Sequence, residues 1–290
     1  MKIGTFRTGQ KWLVGQVDEE SGTVTPFELD QDQASRGVLS LIGRDVLPQA
    51  GTPVPLSELE LCAPIPRPER NIFCVGKNYF EHAHEFSASG FDSSAAKGAV
   101  PEFPIVFSKV PESVIAHGEQ IVLDPKVSDA VDYEAELAVI IGKGGKGIRA
   151  EDALDHVWGY TIINDVTARD LQSRYSQWLV GKSQDTFGPM GPWAVLKQDL
   201  DVANTKIQCS VNGELRQDSN TGLLIFNIGT IIETISAGVT LKPGDIIATG
   251  TPAGVGIGFK PPKYLQAGDI VEVTVEGIGT LKNECRLSST

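Results

Sequence analysis

Asp132, Glu134 and Glu136 occupy every second position of Val131-Asp132-Tyr133-Glu134-Ala135-Glu136-Leu137-Ala138-Val139-Ile140-Ile141, with apolar residues between them. On an extended strand, side chains two apart point the same way. The spacing therefore aims two or three carboxylates side by side from an otherwise apolar strand. Such carboxylates repel one another, and burying them is costly unless a positive group sits against them. A hard divalent cation with a preference for oxygen ligands meets that need. The competing reading is a solvated outer face of an edge strand, and the strand by itself leaves both open. Asp165, at the end of the strand-like run Val157-Trp158-Gly159-Tyr160-Thr161-Ile162-Ile163-Asn164, is placed to complete a metal site.

Three further groups have spacings that suit chemistry. His82 and Glu85 share one face of a helical turn in Phe80-Glu81-His82-Ala83-His84-Glu85, a general-base pairing in which the carboxylate fixes the imidazole tautomer. The same spacing also suits an exposed helix with ordinary charges, on which His84 is solvated. Arg169 and Gln172 share a face of the helix that opens after Thr167, where a cation and an amide can clamp a substrate carboxylate. Lys182 is a cation in an apolar, aromatic setting between Trp178 and Phe187. The backbone amides and Thr251 hydroxyl of Thr249-Gly250-Thr251-Pro252-Ala253-Gly254-Val255-Gly256 form a candidate anion loop.

Two phosphate motifs fail on inspection. Gly142-Lys143-Gly144-Gly145-Lys146-Gly147 matches the dinucleotide fingerprint, but the preceding strand carries carboxylates and no second strand-helix repeat follows. The glycines read as a hairpin-like connection. Gly181-Lys182-Ser183 ends like a phosphate loop, but Ser176 stands where the first glycine belongs.

The elements that must position these groups are mostly strands. Residues 1–65 read as a small β-rich N-terminal domain. Its hairpin joins Trp12-Leu13-Val14-Gly15-Gln16-Val17 to Thr23-Val24-Thr25-Pro26-Phe27, and a short helix is expected at Val38–Ile42. Ala63-Pro64-Ile65-Pro66-Arg67-Pro68 reads as an extended linker. Residues 66–290 form the larger, mixed β-rich α+β domain. In it, strands are expected near 71–76, 103–110, 120–123 and 157–164, with a hairpin turning at Asn212-Gly213 and a last hairpin over 271–284. Leu224, Ile228, Ile231, Ile232 and Ile235 recur at helical spacing, predicting an amphipathic helix over 221–237. The Gly- and Ser-containing stretch 86–102 reads as a lid beside His82 or as a plain surface loop.

Composition narrows the function. The 290 residues carry a net charge of -12, which argues against nucleic acid or an anionic membrane as partner. Four scattered cysteines, with no paired spacing, fit neither a zinc site nor a disulfide framework. Together with a start lacking an apolar leader, they lead to the expectation of a cytoplasmic protein. No apolar run approaches the roughly 20 residues of a membrane span.

Taken in order, Val75-Gly76-Lys77-Asn78-Tyr79 with His82 and Glu85, Asp132–Glu136, Asn164–Asp170 with Gln172, Gly181–Ser183, Val211–Gly213 and Thr249–Gly256 resemble the fumarylacetoacetate hydrolase family over roughly residues 70–286. The resemblance implies a mixed β roll, usually a homodimer, with a small N-terminal domain in members of this length. It implies Mg²⁺, or Mn²⁺ or Ca²⁺ in some members, carried by Glu134, Glu136 and Asp165. It places His82 and Glu85 on a segment that orders over substrate. Lys182, Lys77, Tyr79, Arg169, Gln172 and Thr251 then surround a small 2-oxo or 1,3-dioxo acid. The animal tyrosine-degradation enzyme has a further aspartate before its catalytic histidine segment. Val75-Gly76-Lys77-Asn78 stands there instead, so the chain resembles the acylpyruvase and decarboxylase branch.

The expected reaction is hydrolysis of a C–C bond in an acylpyruvate-type acid. His82, oriented by Glu85, takes a proton from water, and Lys182 stabilises the enolate that forms. The alternatives are an oxaloacetate-type decarboxylase or an isomerase on the same scaffold, and a metal-binding protein without activity.

Overall fold

The computed structural model describes residues 1–90 and 100–289. Residues 91–99, the centre of the stretch expected to form a lid, lie outside the described residues.

Among the described residues a larger sheet, a smaller sheet and a two-stranded pair make a mixed, sheet-rich α+β fold. The larger runs in the order Val54–Pro55, Thr23–Pro26, Lys11–Asp18, Lys2–Thr8, Gly188–Leu196, Val157–Asn164, Ala135–Ile141, Ile246–Ala248, Ile72–Gly76 and Ile105–Lys109. The smaller runs Glu214–Asn220, Lys206–Val211, Ile270–Val275, Gly279–Leu287 and Gln120–Leu123. The two pack over a core that includes Tyr133, Leu137, Val139, Ile207, Val273 and Leu281. Tyr133, Leu137 and Val139 have the period-two spacing of one strand face, and so do the apolar residues of the facing strands.

The N-terminal strands extend the larger sheet. Lys2 and Ile3 pair antiparallel with Val195 and Ala194. The expected hairpin is present, with Lys11–Asp18 against Thr23–Pro26, and the short helix is a 3₁₀ turn over Gly37–Leu41. The proline stretch is extended but is not a free linker. Ala63 and Ile65 are buried in the core, because Pro64 accepts bonds from Val38 N and Thr5 Oγ1 that dock it onto the first strand.

Two other expectations change. The helix over 221–237 shortens to Ile228–Ser236. Asn227 caps it by accepting from Thr230 N at 2.9 Å, so Leu224 lies in the turn before it. The carboxylate strand is neither continuous nor an edge. Val131–Asp132 pairs with Thr167–Ala168, the ladder breaks at Tyr133 and Glu134, and Ala135–Ile141 continues in the centre of the larger sheet. All of it is buried, which rules out the solvated-face reading. Finally, Gly142–Gly147 does form a connection between antiparallel strands, since Ala135–Ile141 pairs antiparallel with Val157–Asn164. The Asn212-Gly213 turn is as expected, with φ of 54° and 78°.

Candidate active site

The break at Tyr133–Glu134 is what builds the site. Its freed amides are taken by side chains: Glu134 N donates to Asn164 Oδ1 at 3.0 Å, and Ala135 N to Gln217 Oε1 at 3.0 Å. Gln217 is held in turn by donating to Thr251 Oγ1 at 2.8 Å and Pro252 O at 2.7 Å. This arrangement turns the carboxylates away from a simple two-fold alternation. Glu134 and Glu136 converge with Asp165, and a ligand oxygen from each lies within 4.8 Å of the others. Asp132 turns elsewhere. It accepts from Arg169 Nε at 2.9 Å, Gly256 N at 2.7 Å and Ile257 N at 3.1 Å.

The glycine-rich loop is an anion loop, but the anions are the chain's own. Gly250 N donates to Glu136 at 2.8 Å, Gly254 N to Glu85 at 3.0 and 3.2 Å, and Gly256 N to Asp132. Gly254 has φ +101°, and a Cβ there would lie 1.9 Å from the Arg216 carbonyl oxygen. The position therefore requires glycine.

Three buried cations, Arg169, Lys182 and Lys109, make ion pairs with three of the four buried carboxylates Asp132, Glu134, Glu136 and Asp165, and buried Lys77 lines the same cavity. Lys182 Nζ donates to Glu134 Oε2 at 2.7 Å and Asp165 Oδ2 at 2.8 Å. Arg169 Nη1 reaches Glu134 Oε1 at 2.7 Å. Burial pushes the Glu134 carboxyl up, but Lys182, Arg169 and His82 together outweigh it and hold it at about 2. Glu136 behaves oppositely. Burial, then Asp165 and Glu134, push it well above the usual carboxylate range. Among the described residues Glu136 makes no ion pair, only the bond from Gly250 N. Lys182 remains charged: burial works against its ammonium, but Asp165 and Glu134 prevail and raise it.

This donor set fits a divalent cation. Three converging carboxylate oxygens, one of them without a compensating charge, are the hard ligands that Mg²⁺ and Mn²⁺ take.

Lys77, His82, Gln172, Thr251, Arg169, Lys182 and both glutamates line one cavity, walled by Phe86, Phe107 and Trp178. It leaves free about 10 Å³, room for a single water. His82 is buried on the helix Phe80–Ala88, its Nδ1 3.2 Å from Glu85 Oε2, which leaves Nε2 for the pocket. Glu85 stands behind His82 and does not line the cavity. Arg169 is wholly buried, and its Nη2 alone lacks a partner among the described residues. Lys77 adopts φ +54°, with its ammonium 5.7 Å from the Phe86 ring. Tyr79 is placed differently from the rest. Its ring lines a neighbouring cavity with Leu224 and Pro252, and its buried hydroxyl has no partner among the described residues. Burial and the charge of Glu136 raise that hydroxyl's pKa. His84 is exposed.

Sequence reasoning passed over Lys109 and gave no role to Gln217 or Asn164. Lys109 had one faint signal: it shares a strand face with Phe107, an apolar face where a lysine is unusual.

Residues 71–286 match the model of the fumarylacetoacetate hydrolase C-terminal domain. The oxaloacetate tautomerase YisK of Bacillus subtilis is 51% identical over 230 residues, covering 79% of this chain and 74% of that protein. The human mitochondrial oxaloacetate tautomerase FAHD2A is 43% identical over 265 residues, covering 90% and 79%. Among solved structures, a fumarylacetoacetate hydrolase from Exiguobacterium antarcticum superposes with a TM-score of 0.84 at 38% identity, covering 99% of this chain and all of that one. A 5-carboxymethyl-2-hydroxymuconate delta-isomerase from Mycobacterium smegmatis superposes at 0.80 with 34% identity and the same coverage.

Proposed function

The chain belongs to the fumarylacetoacetate hydrolase family, and from that premise we propose that it is a tautomerase of a small 2-oxo dicarboxylic acid of the oxaloacetate type. This replaces C–C hydrolysis as the leading reading. The carrying observation is His82, paired with Glu85 and facing the same cavity as Glu134, Glu136, Arg169 and Lys182. Tautomerisation only moves a proton between two atoms of one substrate, and one imidazole beside this charged cluster suffices for it. The relatives named as oxaloacetate tautomerases support the same choice.

Glu134, Glu136 and Asp165 are the residues that would hold the divalent cation, which supplies Lewis-acid stabilisation of enolate charge when bound. The chain's own groups account for the rest. His82 Nε2 takes the C3 proton of the keto acid and returns one to the oxygen, so keto and enol forms differ only by that transfer. Glu85 fixes the tautomer of His82 and stabilises its charged form. Lys182 supplies positive charge where the enolate develops. Arg169 Nη2, with Gln172 beside it, suits the far carboxylate, since an orphaned buried guanidinium donor is satisfied by a planar anion. Phe86, Phe107 and Trp178 exclude water.

The test offers enol-oxaloacetate and, separately, acetylpyruvate to Mg²⁺-loaded protein. Loss of enol absorbance above the metal-alone rate, with no pyruvate formed, is expected. Acetate plus pyruvate from the second substrate would restore the hydrolase reading. CO₂ plus pyruvate from oxaloacetate would make the protein a decarboxylase.

A further inference from the structure

Lys109 is a buried cation that the proposed proton transfer leaves unused. It ends the strand Ile105–Lys109, at the edge of the larger sheet, and is wholly buried. Its Nζ donates to Asp165 Oδ1 at 2.7 Å, to Val166 O at 3.1 Å and to the Lys182 carbonyl. An ammonium has three donors, and all three are used inside the protein, so none remains for substrate. Phe107, two residues back on the same strand face, lies 5.0 Å from the Lys182 ammonium. Val110 N donates to Ser183 Oγ at 3.2 Å. One strand end thus grips Lys182 by its carbonyl and supports its head group. The same Lys109 ammonium fixes one oxygen of Asp165, while the other oxygen meets Lys182.

We infer that Lys109 is a positioning residue that holds Asp165 and Lys182 in register across the pocket, and whose fixed charge limits how strongly the acidic triad draws a divalent cation. The two roles separate under mutation. Removing the charge leaves the triad more negative, so a cation binds more tightly. The same change frees Asp165 and the Lys182 carbonyl, so turnover falls. A tether with no electrostatic role would weaken both together.

The inference rests on reading the pocket as a cation-binding oxo-acid site, and its test separates the two ideas. Lys109→Met removes charge and donors. Lys109→Gln removes the charge but keeps an amide donor for Asp165. Ser183→Ala removes only the bond from Val110 and serves as the structural control. Mn²⁺ affinity of metal-free protein is measured by electron paramagnetic resonance without substrate. Tautomerisation is then followed in saturating Mn²⁺. Both Lys109 variants are expected to bind Mn²⁺ about fivefold or more tightly than wild type. Turnover should fall about tenfold or more in Lys109→Met and less in Lys109→Gln, with KM changed less than about threefold. Ser183→Ala should leave both quantities within about twofold. Should Lys109→Met fail to fold, Lys109→Gln decides. Unchanged or weaker Mn²⁺ binding in the folded Lys109 variants would overturn the inference. Wild-type inactivity on 2-oxo acids would remove the proposed function while leaving the Mn²⁺ comparison to judge Lys109.

Discussion

Glu85 and Gly254 are joined by two hydrogen bonds, from one backbone N–H to both carboxylate oxygens at 3.0 and 3.2 Å. The bond fastens the histidine-bearing helix to the glycine loop and aims Glu85 at His82. Nearby, a Cβ on Gly258 would fall 1.9 Å from Glu85 Oε1. Gly258→Ala should therefore push the flexible Glu85 aside and leave the backbone in place. Turnover is expected to fall about tenfold to a hundredfold, with the melting temperature lowered by only a few degrees. Gly254→Ala, whose Cβ meets backbone instead, should be the markedly less stable of the two in the same thermal scan.

Removing the imidazole tests the proton transfer itself. His82→Ala should lower enol–keto turnover by about 10²- to 10⁴-fold. Mn²⁺ affinity should be nearly unchanged, because His82 is not among the converging carboxylates. A variant that retained most of its rate would exclude His82 as the proton carrier.

Arg169 ties Asp132 to Glu134, and all three are buried. Arg169→Met would leave Glu134 and Asp132 without that charge, and about 3–5 kcal/mol of stability should be lost in urea unfolding. Adding Asp132→Asn should recover part of the loss, since one uncompensated charge is then removed.

Glu136 sets a pH signature for the metal-free protein. Its folded-state carboxyl keeps its proton to a higher pH than an unfolded glutamate does. Without metal, stability should therefore decline as pH rises from the ordinary glutamate range, and level off once pH passes the raised folded value. A bound cation favours the ionised form and removes that decline. The melting-temperature gain from Mg²⁺ over chelator should grow as pH rises above the ordinary glutamate range. A gain that does not change with pH above the ordinary glutamate range would count against Glu136 as a cation ligand.

Much of this architecture was legible because side-chain periodicity and turn chemistry are local. The hairpin at Asn212-Gly213 follows from two residues that tolerate positive φ. The strands Gln120–Leu123 and Val157–Asn164 fall where apolar runs predicted them. Alternation and one strand-end aspartate left the convergence of Glu134, Glu136 and Asp165 open, and the resemblance of the ordered motifs to the family implied it. The break at Tyr133–Glu134 was not legible. It depends on Asn164 and Gln217 supplying acceptors from 30 and 82 residues away. Asp132 shares the alternation of its neighbours yet serves Arg169, because the loop amides of Gly256 and Ile257 claim its oxygens.

The sequence by itself determined which residue types are present, their local periodicity and the ordered motifs that mark the family. Those depend on neighbours within a few positions of the chain. Only the tertiary structure decided that the carboxylate strand is central and dry, that the glycine loop binds the chain's own anions, and that Lys109 lies beneath Asp165 and Lys182. Each of these depends on burial and on charges brought together from distant segments, where a low dielectric makes one unpaired carboxylate or one fixed ammonium matter.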